Sequence, residues 1–202
     1  MKCDLNIANC IINTVQSNKI TDLIVGIHHK ANIVDTFLGG MITSLINGTS
    51  NQNLIIYGPK KPINSVKRLV VAVPQMAELE VGFDLWFDRI KNIASQLSIP
   101  IIFYANKQTT IALKKQCEIH SSLNVTFREL AAWEDFLIIT KHIKPGDTLI
   151  VISARKATLS YNNLFEKIPY YLNKYFTDNK GRSAGTSVSG RLPTERSTPT
   201  YL

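Results

Sequence analysis

The string most suggestive of chemistry is Gly26-Ile27-His28-His29, followed after nine residues by Gly39-Gly40. Leu23-Ile24-Val25 before it reads as a short buried strand, and the residues after it as a loop entering a helix. A glycine at a strand end and a helix N-terminus can aim main-chain N–H groups at a phosphate. Glycine suits that place because the backbone must come close to the ligand. Histidine titrates near neutral pH, so His28-His29 fits a pH-sensing pair. The same pair fits a metal half-site, or a loop pair standing in for glycine, and no further metal ligand lies close to it in sequence.

Other residues carry weaker possibilities. Arg155-Lys156 follows a strand, at the end where open α/β sheets place ligands, and suits either an anion or an exposed loop. Glu78 and Glu80 precede a helix beginning at Phe83 and suit its positive N-terminal end; as a catalytic carboxylate pair they would need a cleft. Ser153 and Ser160 lack a His-Asp arrangement that would mark a nucleophile. Cys3, Cys10 and Cys117 form neither a CxxC pair nor a Cys/His metal spacing, and an odd, sparse set fits a reducing compartment. Trp86/Phe87 and Tyr170/Tyr171 read as core and interface aromatics. No catalytic residue and no metal site is expected.

The elements that must position these groups alternate between short apolar runs and amphipathic helical patterns, which implies βαβ units and a buried parallel sheet. Residues 7–17 place Ile7, Ile11, Ile12 and Val15 on one helical face. Phe37, Leu38, Met41, Ile42, Leu45 and Ile46 repeat at helical spacing, with Gly48 as a stop. Asn53–Tyr57 is a strand closed by Gly58-Pro59, and Lys60–Ser65 a linker. Leu69–Val73 is β-branched and strand-like. Phe83, Trp86, Phe87, Ile90, Ile93, Ala94 and Leu97 make the clearest helix. Further strands are expected at 99–105, 123–130 and 148–152. Further helices are expected at 109–117, 133–143 and 161–176, the last containing Pro169. From Gly181 the composition turns to Gly, Ser, Thr, Pro and Arg, which predicts a disordered tail.

The chain has 202 residues, 45% hydrophobic and 19% charged, with a formal net charge of +8. That is ordinary globular composition. The basic residues are scattered rather than run together, which argues for a mildly basic solvated surface and against a nucleic-acid patch. Lys2, Asp4, Asn6 and Asn9 interrupt any secretory core at the start. No run approaches the roughly 18 apolar residues of a membrane span. The expectation is a soluble, cytoplasmic chain that does not itself insert into a membrane.

DLIVGIHHKANIVDTFLGGMITSLI followed by NLIIYG resembles the last strand-loop-helix-strand of a universal stress protein domain. The ATP-binding members of that family carry Gly, two residues, Gly, nine residues, Gly, then Ser or Thr. By position Gly26 matches the first glycine and Gly39 the third; His29 replaces the second, and Gly40 the hydroxyl residue. Residues 67–176 resemble the same domain from its first strand onward, but that strand ends in Pro74 where nucleotide-binding members usually carry Asp. The later loop, Ser153-Ala154-Arg155-Lys156, has no motif glycine. The strings DLNIANCIINT, TDLIVGIHHKAN, KRLVVAVPQMAELEVGF, IIFYAN, WEDFLI and VISARKATLSYN are similar to the paired stress-protein-like domains in the cytoplasmic C-terminal region of bacterial sodium/hydrogen (cation:proton) antiporters. This resemblance covers about residues 3–176.

The resemblance implies an α/β fold with an open, twisted parallel sheet flanked by helices, the universal-stress-protein-like (adenine nucleotide alpha hydrolase-like) architecture. It implies the final part of a first domain over 1–58, a linker over 59–66, and a second, degenerate domain over 67–178 lacking its last strand; 179–202 would be tail. It further implies a non-enzymatic regulatory module lying against an antiporter's membrane domain at the inner face of the membrane and pairing with its own copy. ATP or another adenine nucleotide is the cofactor the Gly26, His28, His29, Gly39 and Gly40 loop would take. A free-standing nucleotide-binding stress protein is the alternative.

Overall fold

The computed structural model describes residues 7–26, 34–49, 52–58, 62–118 and 123–176. His28, His29, Cys3 and the expected disordered tail lie outside them. Among the described residues two parallel sheets organise the chain, one of two strands and one of four. The expected α/β class with parallel strands between helices is what the chain adopts.

The first unit runs α1 (Ile7–Ser17), β1 (Asp22–Gly26), α2 (Val34–Gly48), β2 (Asn53–Tyr57). β1 and β2 pair in parallel from Asp22–Asn53 to Gly26–Tyr57. Ala8 and Leu45 from the helices pack with Leu54 and Ile56, and Leu23 and Val25 join them. One face of the small sheet is thereby covered, while Ile24 on the other is 66% exposed.

The second unit is a doubly wound sheet. β3 (Arg68–Ala72), β4 (Ile101–Ala105), β5 (Val125–Glu129) and β6 (Asp147–Val151) lie in the order β5-β4-β3-β6, all parallel. α3 (Phe83–Leu97) and α4 (Lys107–Glu118) supply one face. Leu69, Val71, Phe103 and Ile150 pack there against Trp86, Phe87, Ile90 and Leu113. The alternate residues Val70, Ala72, Tyr104 and Val151 face Trp133, Phe136, Ile139 and Leu172. A parallel sheet covered on both faces needs near-continuous apolar strands, which explains why β4 is buried at every position. Burying a side chain such as Phe87, 1% exposed, is worth about 1.5–3 kcal/mol.

Three elements differ from the sequence expectation. Residues 133–141 form a 3-10 helix rather than an α-helix. Its buried residues Trp133, Phe136 and Ile139 recur every third position, matching the three-residue turn of that helix. The expected helix 161–176 is a 3-10 turn over Asn163–Lys167 leading into α5 (Ile168–Phe176). Pro169 thus falls in the first turn of α5, where no intrahelical N–H bond is lost. α2 starts at Val34, three residues before Phe37.

Candidate functional site

In an open parallel sheet the carboxyl ends of the strands form the ligand edge, at the point where the strand order reverses. In the four-stranded sheet that point lies between β3, the first strand of the unit in sequence, and β6, the last. The chain leaves β3 through Val73 and buried Pro74, and leaves β6 through Ile152 and buried Ser153. Two loops meet above this edge. Met76 in the first has φ 62 and Ala157 in the second φ 68, a left-handed conformation that costs a residue with a Cβ about 1–2 kcal/mol.

The loops are tied to each other and to α4. The Glu80 carboxylate accepts from the Ser160 main-chain N–H at 2.7 Å and from the Ser160 hydroxyl at 2.8 Å. Glu78 accepts from the Thr109 hydroxyl at 2.6 Å. Thr109 N–H in turn donates to Asn106 Oδ1 at 2.8 Å, capping α4. The two carboxylates that sequence placed before α3 are therefore fastened to separate partners rather than to each other. Met76, Leu79, Val81 and Leu159 stand exposed around the tie.

Arg155 does not face open solvent as a loop cation. It is 7% exposed, and its guanidinium donates to the main-chain oxygens of Thr49 at 2.7 Å and Gln52 at 3.2 Å, and to that of Ile46. These acceptors lie at and just beyond the C-terminus of α2, where carbonyls are left over and the helix dipole is negative. Burial lowers Arg155 from the ordinary guanidinium value to about 10, which leaves it charged at neutral pH. Lys156 pairs instead with Glu166 at 2.7 Å on the surface. The Arg155-Lys156 pair is thus split between a joint and a surface ion pair.

A second joint holds the same edge of the first unit. Arg89 of α3 forks onto Asp22, Nε to Oδ1 at 3.1 Å and a terminal nitrogen to Oδ2 at 2.7 Å. Asn53 donates to Asp22 Oδ1 at 3.0 Å. The Arg89 hydrogen bond, assisted by those from Asn53 and Thr21, brings the Asp22 carboxyl down to about 2 against the opposing effect of burial. Asp22 and Asn53 begin β1 and β2, so the second unit grips the amino edge of the small sheet. The carboxyl edge, with Gly26, lies at the opposite end.

Of the sequence-derived loop residues, Gly26 ends β1, and Gly39 and Gly40 are the sixth and seventh residues of α2. The first four N–H groups of α2, at 34–37, have no intrahelical acceptor, whereas those of Gly39 and Gly40 fall within the helical ladder. Neither Gly26 nor Gly40 is dictated by packing, since a Cβ at either would meet nothing within 4 Å. His28 and His29 lie outside the described residues. No group of three metal-ligating side chains occurs among the described residues. The residues sequence reasoning missed are Arg89 and Asp22, which lie 67 positions apart and carry no local signal.

Comparison with protein-family models gives no match, and neither does comparison with curated proteins. None of the described helices is long and apolar enough to cross a membrane.

Proposed function

We propose that the chain is a regulatory module of a bacterial monovalent cation:proton antiporter, working at the inner face of the membrane against the transporter's membrane domain and paired with its own copy. The observation that carries this reading is the double joint between units. Arg155 caps α2 of the first unit from the ligand edge of the second, and Arg89 holds Asp22 at the start of β1. On this reading these two charged contacts are the route by which a change in one unit reaches the other. The resemblance to tandem stress-protein-like domains supplies the rest.

The test is exchange in everted membrane vesicles carrying the transporter with and without residues 7–176, read with a pH-sensitive dye across a series of pH values and with or without adenine nucleotide. The reading expects the pH or nucleotide response to change on deletion. An unaltered response would remove it.

The unforced glycines favour a second reading, a free-standing protein that binds adenine nucleotide at the Gly26 loop. Titration calorimetry with ATP and AMP separates the two. On this second reading the intact chain binds nucleotide, and Gly26→Val abolishes binding without unfolding the protein, since the side chain would project into open space.

A further inference from the structure

The face of the four-stranded sheet turned toward the 3-10 helix holds a buried polar atom that the fold does not account for. Tyr104 is 1% exposed, and no partner meets its hydroxyl at hydrogen-bond distance and angle. Leaving a buried hydroxyl unsatisfied costs about 1–3 kcal/mol, and native structures carry few such groups. Phenylalanine would fill the same apolar site without that cost.

The surroundings of Tyr104 are electrically uneven. In the parallel ladder Tyr104 pairs with Arg128 on β5, and with Ala72 on β3 on its other side. Phe127 packs on the opposite face of the sheet, so alternation puts Arg128 on the Tyr104 face. Arg68 is close as well, but its charge is spent. It forks onto Asp147 and also donates to the His142 main-chain oxygen at 3.4 Å. Asp147 additionally accepts from the Lys144 N–H at 2.7 Å. Arg128 makes no ion pair among the described residues and stands at the exposed edge strand. His142 stacks on the Tyr104 ring with centroids 6.1 Å apart, closing the side toward the 3-10 helix. Burial raises the phenol's pKa, and Arg128 opposes that rise through its charge and its side-chain approach to the hydroxyl.

We infer that Tyr104 and Arg128 form a binding site for a small oxyanion, a phosphoryl or carboxylate group. A guanidinium fork donates to two oxygens of such a group, and a phenol hydroxyl is a donor to a third or to one of the same two. Arg128 is long and exposed on the edge strand, so a shift of its guanidinium admits an anion between itself and the hydroxyl, which the anion then satisfies. This site lies on the face of the sheet turned toward the 3-10 helix and does not depend on the antiporter reading.

The experiment is thermal unfolding of the full chain in chloride, inorganic phosphate and acetate at matched ionic strength and pH. The wild type should show a saturable rise in melting temperature with phosphate, with acetate, or with both. A response to phosphate alone identifies a phosphoryl site, and a response to acetate identifies one open to carboxylates. Tyr104→Phe and Arg128→Gln should each weaken the apparent affinity by at least about tenfold, the worth of one charge-assisted hydrogen bond. Tyr104→Phe should fold at least as stably as wild type in chloride, so a lost response cannot be ascribed to unfolding. No anion-dependent rise in the wild type, or a rise retained by either variant, overturns the inference.

Discussion

The Arg155 guanidinium donates to the main-chain oxygen of Thr49 at 2.7 Å, so the end of a helix in one unit is capped by a side chain from the other. The hydroxyl of Thr49 reinforces the same turn by donating to Leu45 O at 2.6 Å. Substituting Arg155→Met keeps an apolar stem but leaves the carbonyls of Ile46, Thr49 and Gln52 without this donor. The expected cost is about 2–4 kcal/mol, since charge-assisted bonds to buried acceptors are lost without replacement. Urea denaturation of variant and wild type measures it. A loss below about 0.5 kcal/mol would mean that the joint contributes little.

The joint at Asp22 predicts an acid dependence. Its carboxyl is held at about 2, chiefly by the Arg89 hydrogen bond, against 3.8 in the unfolded chain. The folded value is the lower one, so the unfolded state takes up the proton first as pH falls. The stabilisation is complete above about pH 5 and is lost progressively as pH drops through 3.8 toward 2. Arg89 is 44% exposed, so solvent screening reduces the worth of the pair to about 1 kcal/mol. Asp22→Asn should flatten the stability profile in that window and leave its shape near neutrality unchanged. A variant profile parallel to wild type throughout would show that Asp22 is not responsible.

Much of this arrangement is written in local sequence. The Phe83–Leu97 periodicity fixes α3, whose apolar stripe is buried, and the run at Leu69–Val73, buried at every position, fixes the central strand. The spacing of Trp133, Phe136 and Ile139 holds the signal for a three-residue turn, yet an i, i+3 repeat is also half of an α-helical pattern. Arg155 shows the other limit. A cation after a strand looks the same in sequence whether it meets a ligand or a helix end, and its partners lie 103 to 109 residues away. For Tyr104, alternation along β4 gives the burial but not the missing partner of its hydroxyl.

The tie between the loops at the ligand edge should open locally. Glu80→Ala removes the acceptor of both Ser160 bonds and strands the N–H of a residue that is 5% exposed. Ser160→Ala removes only the hydroxyl and leaves the main-chain bond. Hydrogen exchange over residues 157–162 should therefore quicken far more in Glu80→Ala, with stability costs of about 2 and about 1 kcal/mol respectively. Equal exchange in the two variants would show that the main-chain bond to Glu80 does not hold the loop.

Two glycines give opposite expectations for one substitution. Gly146 has φ +92 in the turn before β6, a region costly for any residue with a Cβ. Its carbonyl accepts from Lys67 N–H at 2.8 Å, which sets β6 beside β3. A Cβ there would lie 3.0 Å from Lys67 Cγ and Cδ. The long lysine side chain can swing aside, so the backbone strain dominates and Gly146→Ala should cost about 1–2 kcal/mol. Gly26 ends β1 with ordinary backbone and open space where a Cβ would stand. Alanine there loses only backbone freedom in the unfolded chain, so Gly26→Ala should be neutral or stabilising by up to about 1 kcal/mol. Chemical denaturation of both variants tests the contrast. A Gly26→Ala loss as large as that of Gly146→Ala would place a conformational demand on Gly26 that the β1–β2 pairing does not explain.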